Sequence, residues 1–217
     1  GWLMSTDFLA RFDAIEAIDI DPLARPLFAL RHGWRLRIRG VQIRWHALDA
    51  LGRLDDVLER WPDAALLFDN VLGQQIYRHR DLDAVEVALS GLSARLAGRE
   101  WASIHDWLSG PASPPDPGAI LAAAPRVAVA ESEGLRIDGR LVPFDEAGQS
   151  LLAALGGHGQ WQDHRSAGVF PPGTALTLIP WPFAPGKWHW LQAGRVDART
   201  RFEERAARGK PAKALKL

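Results

Sequence analysis

Short apolar runs alternate with helix-patterned stretches along the first half of the sequence. "AIEAIDI" (residues 14–20) reads as a buried strand, and "DPLARPLFALRHG" (21–33) as a helix. Asp21 is placed as its N-cap, Pro22 at the first helical position and Gly33 at the exit. "WRLRIRGVQIRWHAL" (34–48) alternates apolar residues with arginine on both sides of Gly40, which predicts one or two half-exposed strands. "RLDDVLERW" (53–61) follows as an amphipathic helix, and "DAALLFDN" (63–70) as a strand buried on both faces. "DLDAVEVALSGLSARLA" (81–97) is helical and "EWASIHD" (100–106) a short strand. Strand and helix in alternation predict an α/β fold with a mostly parallel sheet and helices on both faces.

The second half breaks that rhythm. A proline-rich loop, "SGPASPPDPG" (109–118), opens an insertion expected to run to about residue 160. Within it, 126–144 suggests short antiparallel strands with Asp138-Gly139 as a hairpin turn, and 145–157 a helix with a glycine stop. "TALTLIPWPF" and "WHWLQAGRV", joined by "APGK", read as a terminal antiparallel hairpin. Trp188 and Trp190 share one face at period two, the pattern of packing more than of a substrate platform, and Trp181 lies on the same hairpin. The tail from Arg208 is basic. At the other end, "GWLMSTDFLARF" (1–12) carries a helical pattern with Leu3, Phe8, Leu9 and Phe12 on one face, and no strand precedes it in the sequence.

Composition narrows the functional classes. Formal charge is zero over 217 residues, so no basic field gathers phosphates and nucleic acid is disfavoured as a partner. Cysteine is absent, which removes disulfides, thiolate metal sites and cysteine nucleophiles together; it fits a reducing compartment, and a cytoplasmic location is expected. No apolar run approaches the roughly 18 residues a bilayer span needs, so no membrane association is expected. Neither a P-loop nor a G-x-S-x-G elbow is present.

Two clusters carry candidate chemistry. His105 and Asp106 stand at a predicted strand end, where a histidine could act as general base and where, as an alternative, it would only bond loop backbone. "HGQWQDH" offers His158, Asp163 and His164, but with no helical i, i+4 histidine pair and no further ligands in view, and no metal is expected there. Acids also close two apolar runs. Asp19 ends the first strand, where a carboxylate must be hydrogen-bonded or exposed, and in open α/β sheets ligands bind beyond the carboxyl ends of the strands. Asp49 could equally make a turn, and Asn70 could tie down the loop that follows it.

The order of elements, "AIDID", "WHALDAL", "ALLFDNVLGQ" and the final hairpin together resemble the class I S-adenosylmethionine-dependent methyltransferase superfamily over nearly the whole chain. The resemblance implies a single Rossmann-like domain over 1–217 whose last strand inserts antiparallel. Gly1 would be the last glycine of the cofactor loop, Asp19 with Ile20 would meet the ribose, and Asp49 with Ala50 the adenine side. Asn70 would end the strand-four motif facing cofactor and substrate. It implies S-adenosylmethionine as cofactor, methyl transfer to a small molecule or protein side chain, and a sheet whose first strand is missing, which invites self-pairing through the gap. Two rivals stand beside it: a non-catalytic binding protein of the same fold, and an NAD-dependent oxidoreductase, which also uses a strand-two acid.

Overall fold

The computed structural model describes residues 5–21, 23–123 and 126–198. Gly1, Leu3, Pro22 and the basic tail, all singled out in the sequence, lie outside the described residues. The chain divides into two compact units, Gly1–Ala64 and Ala65–Leu217.

Unit 1 opens with α1 (Thr6–Leu9), capped by Ser5 Oγ, which accepts from the Phe8 amide. β1 (Ala14–Ile18) pairs in parallel with β2 (Gln42–His46), from Ala14 opposite Gln42 to Ile18 opposite His46. Between them one continuous helix runs from α2 (Ala24–Phe28) through a π-turn at Ala29–Gly33 into α3 (Trp34–Ile38). The strand expected over 34–38 is therefore a helix. Gly33 has helical φ (−56°) and ends nothing, and the stop comes at Gly40, whose φ of +79° is left-handed. Leucine and arginine are good helix formers. The period-two pattern did not mark burial either: Leu36 is buried, whereas Trp34 and Ile38 are exposed. Leu9, Leu36 and Val41 form this unit's core with Ile15, Phe28 and Ile43. α4 (Leu54–Arg60) completes the unit.

Unit 2 is built on an eight-stranded sheet. After β3 (Leu66–Asp69) come two short helices, α5 (Leu82–Ser90) and α6 (Leu92–Arg95), and then β4 (Trp101–Pro111). α7 (Pro117–Ala123) leads into a meander of β5 (Arg126–Glu131), β6 (Gly134–Ile137) and β7 (Arg140–Pro143). α8 (Phe144–Ala154), the two-residue β8 (Gln162–Asp163), and the hairpin β9 (Ala175–Ala184) and β10 (Lys187–Val196) follow. The strand order is β3-β4-β10-β9-β5-β6-β7, with β8 paired to the side of β4. The whole is mixed α/β, but the mostly parallel sheet is not what these strands form. Among the described residues, parallel pairing is confined to β1–β2 and β3–β4, and every other ladder is antiparallel.

The local reasons are visible. Asp138 (φ 50°) and Gly139 (φ 79°) make the tight turn between β6 and β7, both residues left-handed as such a turn requires. The terminal hairpin turns at Gly186 and pairs over nearly its whole length. Within the 109–160 segment, Ser109–Pro111 extend β4, and β5 pairs with β9. β3 is less buried than its apolar run suggested, with Leu67 exposed; among the described residues it pairs on one side only. α8 lays Ala147, Gly148 and Leu151 against the sheet, and Trp190 Nε1 donates to the Leu151 carbonyl at 3.0 Å. That carbonyl is one of the last four of the helix, which find no partner within it.

Candidate functional site

In unit 2, Asp106 is the hub of a buried polar network. A bulge places it there. Trp190 on β10 faces Leu108 on β4, but the next residue, Leu191, faces Asp106, so Trp107 is an extra residue. Plain alternation would put Asp106 and Leu108 on one face. With the bulge, Leu108 turns to the side of α8 with Trp190, while Asp106 and Ser109 share the side of His189.

The Asp106 side chain is almost fully buried and its carboxylate is fully engaged. Oδ1 accepts from His189 Nδ1 at 2.7 Å; Oδ2 accepts from Asn70 Nδ2 at 3.0 Å and, more loosely, from Gln74 Nε2 at 3.4 Å. Asn70 closes a ring with Asp106, because its Oδ1 accepts the Asp106 backbone N–H at 2.9 Å. That contact fixes which way the amide points. Asn70 holds this pose with φ of 58°, a left-handed conformation asparagine tolerates better than most residues, and its own N–H donates to the Ile104 carbonyl. Burial alone would raise the Asp106 pKa, but the hydrogen bonds from His189 and Asn70 outweigh it and hold the group below the ordinary carboxylate value.

Since Asp106 is an acceptor, His189 donates from Nδ1, which leaves its Nε2 turned away from the carboxylate. Among the described residues that nitrogen makes no hydrogen bond, and the ring is partly exposed. An imidazole tied at Nδ1 by a buried carboxylate and open at Nε2 is arranged as a general base. His164 supports the same corner. Its Nδ1–H donates to the Gly73 carbonyl at 2.7 Å, so Nε2 accepts from the Ser109 hydroxyl at 2.8 Å. Burial lowers its pKa and keeps it neutral. Gly73 presses directly on Asp106: a Cβ there would lie 2.8 Å from both the Asp106 amide nitrogen and carbonyl oxygen. Gly73→Ala is therefore expected to cost about 1–3 kcal/mol, read as a lowered urea midpoint. An unchanged midpoint would mean that the loop can shift away freely.

Of the residues singled out in the sequence, Asn70 and Asp106 are brought together. His105 is not part of the site. It points to the other face of β4, is fully buried, stacks on Phe170 at 5.5 Å and bonds Ser103 Oγ at 2.8 Å. Burial pulls its pKa down to about 4, so it is a neutral core histidine. His158 meets Ser113 Oγ, Asp163 accepts the Arg165 amide, and His164 is spent as described. Among the described residues no group of three or more His, Cys, Asp or Glu is placed to hold a metal.

Asp19, Ile20, Asp49 and Ala50 lie in unit 1, beyond the carboxyl ends of the parallel strands β1 and β2. The Asp19 amide extends the ladder to the His46 carbonyl. Its exposed carboxylate folds back, Oδ1 accepting the Asp21 amide at 2.8 Å, and Asp21 in turn accepts the Leu23 amide. Asp21 thus makes the turn before α2 but is not its N-cap, a place taken by Leu23 with no side-chain hydrogen bond. Ile20 is exposed and Ala50 half-buried. Asp49 Oδ1 accepts the Gly52 amide at 3.2 Å, the turn-making role open to it from the sequence. A cavity of about 450 Å³ in this unit is lined by His46, Arg53, Arg60 and Trp61, and neither Asp19 nor Asp49 lines it. A larger cleft in unit 2, about 640 Å³, lies against Trp107, Leu108 and α8, on the face of the sheet away from His189.

Sequence reasoning missed His189. The signal was present in "WHWL": a polar residue between two core tryptophans on a strand must point to the opposite face from both. Gln74 and Ser109 were missed because they depend on loop and bulge geometry. No helix among the described residues is long and apolar enough to cross a membrane. Compared with protein-family models, with curated proteins and with solved structures, the chain matches none of them.

Proposed function

We propose that the chain is an S-adenosylmethionine-dependent methyltransferase of Rossmann-like type. The observation that carries this reading is the strand order of unit 2. β3 and β4 are parallel, and the last strand, β10, enters antiparallel between β4 and β9. That is the sequence of the fourth, fifth, seventh and sixth strands in the fold the sequence resembles. In the same fold β1 and β2, a parallel pair with an acid following each, would correspond to the second and third strands.

The residues present fit part of the cofactor. Asp19 offers an exposed carboxylate whose Oδ1 is pinned by the Asp21 amide, and among the described residues Oδ2 accepts no hydrogen bond, so it is available to ribose hydroxyls. Bound S-adenosylmethionine would supply an electrophilic methyl group on a sulfonium. The chain then has to bind and orient the acceptor and remove its proton. His189 Nε2 would take that proton, and the Asp106 carboxylate at Nδ1 would hold the ring in the right tautomer and offset the charge it gains.

Calorimetry on the full chain with S-adenosylmethionine, S-adenosylhomocysteine and NAD tests the reading. Binding of the first two in preference to NAD is expected, and tighter binding of NAD would end the proposal. Asp19→Ala should weaken the nucleoside ligands by about ten- to a hundredfold, the loss of about 1.5–3 kcal/mol for hydrogen bonds to a charged acceptor. An unchanged affinity with intact circular dichroism would make Asp19 a turn residue only.

A further inference from the structure

The geometry points to a substrate class: a phenol, its ring seated on Trp181 and Phe183 and its hydroxyl at His189 Nε2. This rests on His189 acting as the base proposed above, and adds what the base acts upon. Trp181 on β9 lies directly opposite His189 on β10, with ring centroids 5.4 Å apart. Phe183, two residues on, is 4.9 Å from the His189 ring and 5.4 Å from Trp181. The three rings meet at angles of 44–76°, tilted to edge-on. Trp188 and Trp190 on the same hairpin are buried, but Phe183 is 58% exposed and Trp181 is only partly covered. Apolar rings left open beside the free nitrogen of a base form a platform for another ring, in the offset or edge-to-face arrangements that aromatic pairs prefer.

Charge selects among ring-bearing ligands. None of the side chains in hydrogen-bond or ring contact with His189 is a lysine or arginine, so no cation touches the base itself; Lys187 stands two residues away on the same face of β10. The one carboxylate, Asp106, is buried and already shared among His189, Asn70 and Gln74, so an ammonium would find no free anion. A neutral ring carrying a weakly acidic proton suits both conditions. In the step itself the phenolic O–H bond breaks and an Nε2–H bond forms. The electron pair stays on oxygen as phenolate, and the imidazolium remains paired with Asp106.

The test uses the full chain without cofactor, with 4-nitrophenol as probe and cyclohexanol as a ring of similar size without π-electrons. Saturation-transfer NMR should detect 4-nitrophenol in clear preference to cyclohexanol. The bound probe should absorb as phenolate to a greater extent than in buffer at the same pH. Phe183→Ala, at an exposed position that leaves the core intact, and Trp181→Ala should each weaken binding about tenfold. His189→Gln should keep binding but abolish the excess phenolate absorbance. Equal binding of cyclohexanol, unaltered affinity in both aromatic variants, or an undiminished phenolate signal in His189→Gln would each overturn the inference. The two proposals fail separately. Phenol binding of this kind with no affinity for S-adenosylmethionine would remove methyl transfer alone. Methyl transfer to a non-aromatic acceptor with no 4-nitrophenol binding would remove the phenol alone.

Discussion

Asp106→Ala is expected to destabilise unit 2 by about 2–5 kcal/mol, because it strips the acceptor from two good donors at once. His189 Nδ1–H and Asn70 Nδ2–H both end on this carboxylate, which lies 1% exposed, and an orphaned buried donor costs about 1–3 kcal/mol. Asn70 would suffer further, since only its anchoring to Asp106 and Ile104 offsets its left-handed backbone. Asp106→Asn should be milder, because it keeps an acceptor for one partner. Urea unfolding followed by tryptophan fluorescence measures both. A loss under about 1 kcal/mol for the alanine variant would show that water replaces the carboxylate at little cost, and the hub would be a surface feature in energetic terms.

The second large effect is a loss of stability in mild acid. His105 has an ordinary pKa of 6.5, lowered to about 4 by burial in the fold. Between those values the unfolded chain binds a proton that the folded chain excludes, so stability is complete above pH 6.5 and declines as pH falls through 4. The full contribution is about 3 kcal/mol. His164, also lowered by burial, acts with the same sign from the same starting point. Asp106, held below the ordinary carboxylate value of 3.8, adds a further loss as pH falls below that value. Urea midpoints from pH 7 to pH 4 should therefore fall steadily. His105→Gln, which removes the titrating group and keeps a polar side chain beside Ser103, should flatten the upper part of the decline. An identical slope in the variant would place the acid sensitivity elsewhere.

Local chemistry was readable at the hairpin turns, though not at the stop read for Gly33. Asp138-Gly139 announced its hairpin and Gly186 the terminal one, whereas the single helix read over 81–97 is two, broken between α5 and α6 at Gly91. Periodicity failed where residue type and burial parted company, as in Trp34–Ile38, whose alternating pattern sits on a helix with one buried side chain. β4 was read too short because Gly110 and Pro111 look like loop residues. In the sheet, Gly110 makes room for the Trp161 ring, which a Cβ would approach within 2.6 Å. For the candidate site, two of the three central residues, Asn70 and Asp106, stood out as polar ends of apolar runs. The third, His189, is brought to them by a pairing between strands more than eighty positions apart, and no local pattern encodes that distance. Sheet direction was the least legible property, since an apolar run carries no mark of which way its neighbour runs.

The extra residue at Trp107 has a consequence for how this site tolerates change. It acts as a frameshift in the alternation of β4: the strand up to Asp106 is written in one phase and the strand from Ser109 in the other. A substitution at 107 alters what packs beside α8 but leaves both phases in place. Deleting the residue would remove the bulge and leave Asp106, Leu108 and Ser109 in plain alternation, with Ser109 still on the side of His164. A chain descended from this one could thus exchange many side chains around the hub, or lose the bulged residue itself, and still align Asp106, Ser109 and His189. What it could not do is keep that residue and lose the bulge, which would turn Ser109 to the opposite face.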